Sequence, residues 1–407
     1  MIYDTLNSPF LELNAPFTLL ELLKLLFVLP LLPLKIAVVL TASLAVGVLN
    51  ALATNGCDLD HPLPRWRRRL VELSSQTCTS IILAAAGFYW PRVKGLQHLK
   101  KGLEEGAIVC SNHVSYADAF AVVGAFCPCG ITLEFTKTIP LLGPGIRALQ
   151  NIYVASDGTS EGGGAARAIA ERAARSGEFG VPVIVFPEGT LSDGRGLLKF
   201  KTGAFATGRP VVPLVLRYRL RPFSPAWGIV PMPFHILRML TQPRNVLEME
   251  FLPVYHPSPA ERNNPQLYAQ NVRLLMARAL PATPGGVDNG QGGRLYDHDD
   301  RTTMMALERA GVRTSWDSRR IEIDETVTTA DPSALRSDGT IDLGPHLAAL
   351  AAEAEAKRAR RAQREAGAAA MAAAKAAAEV AAKVAAGAQE GEASTATNGG
   401  GGSKKVV

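Results

Sequence analysis

The chain has few cysteines and an odd number of them, five in 407 residues. An odd set cannot be fully paired, and Cys127-Pro128-Cys129 is spaced too tightly for a C-x-x-C redox or zinc motif. Reduced, structural thiols in a cytosol-facing protein are expected. Aromatic residues are sparse at 6%, and the net charge of +6 is modest. With no zinc spacing, helix-turn-helix pattern or aromatic-rich basic face, the sequence argues against nucleic acid as a partner. It also argues against a cleavable leader. Asp4 and Glu12 precede the first apolar run, no small-residue cleavage site follows it, and acidic residues with little Arg or Ser do not suit a transit peptide. Asp338-Gly339-Thr340-Ile341 resembles part of a calcium loop. With Gly339 at loop position six, however, Ala334, Arg336 and Pro345 fall where ligands are needed, so calcium binding is not expected.

What the chain does have is apolar sequence, concentrated in residues 19–53 and in the Ala-rich stretch 348–388. From Leu25 to Ala53 the only charge is Lys35. That run exceeds the roughly 20 residues that cross a bilayer once. Pro30 and Pro33 break its first half, so residues 36–53 are the best spanning helix, and 19–34 are a second, imperfect span or the arm of a hairpin. Arg65, Arg67, Arg68 and Arg69 follow, a cluster suited to anionic lipid headgroups. By the positive-inside bias they keep everything from Arg65 onward in the cytosol. Residues 77–90 are apolar but too short to cross, and read as an interfacial or core helix ending at Trp90-Pro91.

Strands and helices alternate from there to about residue 280. Residues 107–111, 131–136, 181–186, 211–217 and 247–254 are short β-branched or apolar runs bounded by Gly and Pro, and 151–155 is a weaker strand. Residues 117–126, 165–176 and 265–279 read as helices. This alternation implies a layered α/β domain. Residues 1–64 are then an N-terminal region with the membrane anchor, and 65–281 the α/β domain. Residues 282–347 are a linker and polar extension, and 348–407 a low-complexity helix and flexible tail.

Two motifs in the α/β region carry chemistry. Ser111-Asn112-His113-Val114-Ser115-Tyr116-Ala117-Asp118 leaves the end of a buried strand. Ser115-x-x-Asp118 has capping-box spacing, so Ser115 can start the next helix. With His113 before that helix and Asp118 in its first turn, the carboxylate can accept the imidazole Nδ1–H and leave Nε2 as a general base. Phe186-Pro187-Glu188-Gly189-Thr190 is the exit of a second strand. Ligands in α/β folds sit outside the carboxyl ends of strands, so the two motifs converge on one sheet edge. Ser192 to Arg195 continue that loop, and Lys199 and Lys201 add charge suited to a phosphate. Residues 137–143, followed by Arg147, form a further candidate loop with a cationic end.

With N-H-x-x-x-x-D and F-P-E-G-T in this order, residues 93–280 resemble the glycerolipid acyltransferase superfamily. The runs SNHVSYADAF, IPLLGPGIRALQNIYV, VFPEGT, FKTGAF and LEMEFLPVYHPS are most similar to eukaryotic lysophosphatidylcholine/lysophosphatidylethanolamine acyltransferases. The resemblance implies an α/β acyltransferase fold with a mixed sheet, acyl-CoA as co-substrate with no cofactor or metal, and a lysophospholipid as acceptor. It implies His113 as base and Asp118 as its partner, with Asn112, Glu188, Gly189 and Thr190 on the substrate side. Relatives usually carry an Arg shortly after the Tyr-Val or Phe-Val strand, where this chain has Ser156-Asp157, so either phosphate binding falls to Arg147, Lys137 or Lys201 or acceptor selectivity differs.

Lys404 and Lys405 are the fourth and third residues counted from the end, as in a dilysine retrieval signal. An endoplasmic-reticulum membrane enzyme with its catalytic domain facing the cytosol is therefore expected. The alternatives are a glycerol-3-phosphate or lysophosphatidate acyltransferase, a hydrolase, which would need a nucleophile of its own, and a non-catalytic membrane scaffold. Oligomeric state is not legible.

Overall fold

The structure is a computed structural model, and it describes residues 19–154, 164–220, 223–227, 232–283 and 291–296, with Ala352. The chain divides into two compact units, 1–342 and 343–407, and all described residues except Ala352 belong to the first. Ser156-Asp157, most of the polar extension, residues 338–341, the Ala-rich helix apart from Ala352, and the terminal lysines lie outside the described residues.

The N-terminal apolar run forms α1 (Leu19–Val28), a 3-10 turn at Leu29–Leu31 and α2 (Leu32–Thr54). Leu23–Thr54 is one apolar stretch of 32 residues. At 1.5 Å per residue it is longer than the roughly 30 Å of a bilayer's hydrocarbon core. The two faces of α2 differ. Ala42, Ser43, Val46, Gly47, Asn50 and Ala53 are buried, whereas Leu40, Leu44, Val48, Leu49 and Leu52 are exposed. The small residues let α2 pack closely against α3 (Arg65–Ala85). Asn50 donates to Ser75 Oγ at 2.9 Å and accepts from Ser74 Oγ at 2.5 Å. On another side of α2, Gly47 lets the chain before residue 143 come close, because a Cβ there would stand 2.1 Å from the Leu141 carbonyl oxygen. The helix expected over residues 77–90 is thus the second half of α3. It begins on the arginine cluster and ends at Ala85, before Trp90.

The domain proper opens with β1 (Arg92–Lys94) and α4 (Leu96–Glu104), followed by β2 (Ile108–Ser111) and α5 (Ala117–Phe126). Next come β3 (Ile131–Leu133), α6 (Gly143–Ala148), β4 (Ile152–Val154), α7 (Gly164–Ala174) and α8 (Ser176–Phe179). β5 (Ile184–Val185), β6 (Gly196–Leu197) and β7 (Val211–Tyr218) precede α9 (Met232–Leu240). β8 (Leu247–Phe251), α10 (Pro259–Asn263), α11 (Pro265–Ala279) and β9 (Arg294–Leu295) complete the series.

The main sheet has the order β1-β8-β7-β2-β5, parallel except for the β7–β8 pair, so it is mixed. β3 and β4 form a parallel pair of their own. A bridge between Cys129 and Val183 joins that pair to the edge of β5. The strands alternate as a doubly covered sheet requires. Ile108, Cys110, Val211 and Val215 pack on one side with α7 and α11. Val109, Val212, Leu214 and Leu216 pack on the other with residues of α3, α4 and α5. Several expected strands are shorter than the apolar runs suggest: residues 134–138 form a 3-10 turn, and of 181–186 only Ile184 and Val185 are strand. Arg294–Leu295, read as part of the linker and polar extension, pairs in parallel with β6.

Candidate active site

β2 and β5 are parallel neighbours in a register that sets Val109 opposite Ile184 and Cys110 opposite Val185. Their carboxyl ends are therefore level, and the loops that follow leave the sheet side by side. Asn112 is fully buried, and its side chain continues the sheet. Its amide donates to the Leu216 carbonyl at 3.0 Å and accepts from the Leu216 N–H at 2.8 Å. A carboxamide carries the same donor and acceptor as a peptide group, so Asn112 pins the chain to β7 just where β2 ends. These two contacts of Asn112 are with protein.

His113 comes next. Its Nδ1 lies 2.8 Å from Asp118 Oδ2. The same Asp118 oxygen accepts from the N–H groups of Val114 at 2.7 Å and Ser115 at 3.0 Å. The other Asp118 oxygen accepts from the Tyr218 hydroxyl at 2.5 Å. Four donors thus converge on one fully buried carboxylate, which offsets its desolvation. The expected capping box is only half formed. Asp118 accepts from the Ser115 N–H, but Ser115 Oγ turns back to the N–H of Ala117 at 3.2 Å, and Tyr116 is the residue that precedes the helix. Burial and the neighbouring Asp118 charge hold the Tyr218 hydroxyl well above its usual range, so it stays a donor. Tyr218 lies 100 residues from Asp118, and no local pattern announces the contact.

The F-P-E-G-T loop grips the backbone of His113. Glu188 is fully buried; its two oxygens accept from the N–H groups of His113 and Leu198, both at 2.9 Å. The His113 carbonyl in turn accepts from the Ser192 N–H at 2.8 Å. Phe186 stacks on the imidazole, with ring centroids 4.2 Å apart. Glu188 therefore stands behind the histidine as the tie between the loops. Gly189 adopts φ +75°, and a Cβ there would lie 2.4 Å from Lys201 Nζ, so the glycine lets Lys201 cross the loop. Lys201 also donates its backbone N–H to the Pro187 carbonyl at 2.7 Å.

Lys137 and Arg147 are brought to each other, with Arg147 Nη1 donating to the Lys137 carbonyl at 3.3 Å. The Lys137 ammonium pairs with Glu134 at 2.7 Å and lies 4.0 Å from the Tyr153 ring centroid. These contacts belong to the 3-10 turn and β4, apart from those of the 188–190 loop.

A cavity of about 980 Å³ opens at the histidine. His113, Phe186 and Thr190 line it at one place, together with Tyr116, Trp227 and Met232. Phe120, Ile131, Leu133, Ile139, Ile146 and Leu149 line much of the rest. None of Glu188, Asn112, Lys137 or Arg147 is on its wall.

Burial pushes the Glu188 carboxyl up to about 8 from 4.5, against the pull of its two N–H donors and of the Arg273 charge. A carboxyl whose folded value is raised contributes most stability below its unfolded value and loses it as pH climbs through the folded one. Thermal melts of the wild type and Glu188→Gln between pH 5 and pH 8.5 are expected to diverge, with the wild type losing stability toward high pH and the variant lacking that slope. Parallel curves would contradict the assignment.

Residues 91–217 match the family model described as Acyltransferase. The chain is 37% identical over 237 residues to lysophospholipid acyltransferase LPEAT1 of Arabidopsis thaliana, covering 52% of this chain and 59% of that one. It is 33% identical over 254 residues to lysophosphatidylcholine acyltransferase 2 of Homo sapiens, covering 61% and 46%. The solved structure of the 1-acyl-sn-glycerophosphate (LPA) acyltransferase PlsC from Thermotoga maritima aligns with 60% of this chain and 92% of that one, at 20% identity and a TM-score of 0.39. The chain spans about half the length of the curated relatives it matches. Residues 91–217, which hold His113, Asp118 and the 188–190 loop, are a domain of the acyltransferase family.

Proposed function

We propose that the protein transfers an acyl group from acyl-CoA to the free hydroxyl of a lysophospholipid, with lysophosphatidylethanolamine or lysophosphatidylcholine as acceptor. The observation that carries this reading is the imidazole–carboxylate pair at the mouth of a largely apolar cavity. A volume of about 980 Å³ is at the upper end of the roughly 300–1,000 Å³ usual for ligand sites. An acyl chain is the substrate group that such walls suit. The names of the relatives support the same class of acceptor.

In this mechanism Asp118 holds the Nδ1–H tautomer, and Nε2 of His113 takes the proton of the acceptor hydroxyl. The oxygen attacks the thioester carbonyl, a tetrahedral oxyanion forms, and the C–S bond breaks. The imidazolium returns its proton to the departing CoA sulfur. Asp118 stabilises the transient imidazolium, as in a Ser-His-Asp triad with the substrate hydroxyl in place of serine. The route uses no metal, no cofactor and no covalent enzyme intermediate. Thr190 and Lys201 would meet the polar part of a substrate at the loop. Lys137 and Arg147 would serve a phosphate arriving over the 3-10 turn. The apolar N-terminal stretch supports attachment to a membrane, for which we propose the endoplasmic reticulum, with the domain on the cytosolic side.

Purified full-length protein, one labelled acyl-CoA and a panel of lysolipids test this directly. Labelled phospholipid is expected with a lysophospholipid acceptor. Preferential use of glycerol-3-phosphate or lysophosphatidate would replace the acceptor and keep the chemistry. The hydrolase reading has one pattern in its favour, because Gly158-Thr159-Ser160-Glu161-Gly162 spells G-x-S-x-G outside the described residues. Ser160→Ala is expected to leave acyl transfer unchanged, and loss of turnover in that variant would support a serine nucleophile.

The cavity assignment has its own test. Gly130 lines the cavity, and a Cβ there meets nothing closer than Asn151 Oδ1 at 3.6 Å. Gly130→Val should therefore fold and narrow the cavity. Its relative rate with long-chain over short-chain acyl-CoA is expected to fall. An unchanged chain-length profile would remove the cavity as the acyl site.

A further inference from the structure

α9 is a surface helix whose exposed residues are all apolar, its one charged residue, Arg238, being half-buried. It buries His235, Met239 and Leu240 against the domain. The residues it exposes are Met232, Pro233, Phe234, Ile236 and Leu237, and all of them are apolar. Phe234 is 67% exposed and Leu237 42%. A helix on an aqueous surface carries polar residues on its outer side, and one that is apolar all round is normally enclosed. An apolar patch of this kind marks a contact with a partner or a membrane.

Two connections identify the partner. The first runs to the N-terminal apolar stretch. Lys35 Nζ in α2 donates to the carbonyls of Leu240, at 2.8 Å, and Gln242, at 3.2 Å, and so caps the carboxyl end of α9. The carboxyl end of α9 is thereby tethered to the segment that is long and apolar enough to cross a bilayer. Trp90, 88% exposed, belongs to the same neighbourhood, because the Asn245 N–H just after α9 donates to the Gly87 carbonyl at 2.9 Å. An exposed indole suits the headgroup boundary. The second connection runs to the site. His235 Nδ1 lies 2.9 Å from the Tyr116 hydroxyl, and Tyr116, Trp227 and Met232 line the cavity beside His113.

We propose that α9 is an interfacial helix whose outer face, Phe234, Ile236 and Leu237, sinks into the surface of a lipid bilayer and holds the mouth of the cavity against it. A lysolipid then enters along the membrane plane, past Met232 and Trp227, and presents its hydroxyl to His113 without leaving the lipid phase. This entry route rests on the lipid-acceptor reading above; the immersion of α9 does not.

The test uses the full chain in phosphatidylcholine–phosphatidylethanolamine vesicles. Cys57→Ser removes the one cysteine that is not buried. Phe234→Cys then carries an environment-sensitive fluorophore, and exposed Glu178→Cys serves as the aqueous control. Emission from position 234 is expected to shift to the blue and to be quenched by lipids brominated in the acyl chain, with neither effect at 178. Equal behaviour at the two positions would overturn the proposal. A blue shift in detergent and vesicles alike, without bromine quenching, would assign the face to a second copy of the chain and overturn it as well. The double variant Phe234→Ser/Leu237→Ser is expected to raise KM for vesicle-borne lysolipid by roughly tenfold or more. Its kcat with monomeric lysolipid should be unchanged. If the wild type transfers no acyl group at all, the quenching result still stands and the functional reading alone fails.

Discussion

His113→Ala is expected to lower acyl transfer by about 10²–10⁴-fold, the range a positioned general base contributes. The fold should survive the change. The backbone of residue 113 stays fixed from both sides, by Glu188 on its N–H and by Ser192 on its carbonyl. Membrane attachment should also be intact, since the apolar stretch Leu23–Thr54 is untouched. The loss should fall on kcat, because the imidazole acts on the proton in flight rather than on bound substrate. Initial rates with saturating acyl-CoA and lysolipid decide the matter. A variant with near-normal kcat would remove the base from the mechanism.

Asp118 should show two different failures. Asp118→Ala leaves the N–H groups of Val114 and Ser115 and the Tyr218 hydroxyl without their acceptor in a buried place. Each orphaned group costs about 1–3 kcal/mol, so this variant should lose stability and activity together. Asp118→Asn is more informative. Two backbone N–H groups face the oxygen that serves the histidine, and they force the amide oxygen to that side. The amide nitrogen then turns to Tyr218, whose oxygen accepts. The Nδ1–H tautomer is preserved and only the negative charge is lost. The rate should therefore fall by less than the roughly 10⁴-fold that a reversed tautomer costs in a comparable triad, with a melting temperature near that of the wild type. Tyr218→Phe in the Asn background should lower the melting temperature by leaving the amide nitrogen without its acceptor, while the two backbone donors keep the orientation. If Asp118→Asn is as inactive as His113→Ala, the backbone donors do not set the amide orientation.

Much of this was legible from local pattern. α5 and α11 span the residues read as helix, 117–126 and 265–279, because their apolar spacing and starting residues agree. The meeting of His113 with Asp118 followed from a strand exit and a helix start five residues apart. The convergence of the two motifs followed from parallel neighbouring strands. What escaped the reading depends on residues far apart in sequence. The pin from Asn112 to Leu216 and the hydroxyl of Tyr218 each cross about a hundred positions. Glu188 reads as a substrate contact in a short loop motif, and only the fold turns its carboxylate inward to the backbone of His113. β1 has charged ends and a half-buried centre, so Arg92–Lys94 offers no apolar run to detect. α9 has its polar His235 buried and its apolar Phe234 and Leu237 exposed, so its faces reverse the usual rule of apolar in and polar out.

In the proposed reaction an oriented imidazole drives acyl transfer to a lipid hydroxyl. One measurement addresses it most directly: the fate of a radiolabelled acyl chain when purified protein meets acyl-CoA with and without lysophosphatidylethanolamine, beside His113→Ala. The label is predicted to enter phospholipid only when the acceptor is present and only with the wild-type histidine. Label released as free fatty acid without acceptor, or phospholipid formed equally by the alanine variant, would contradict it.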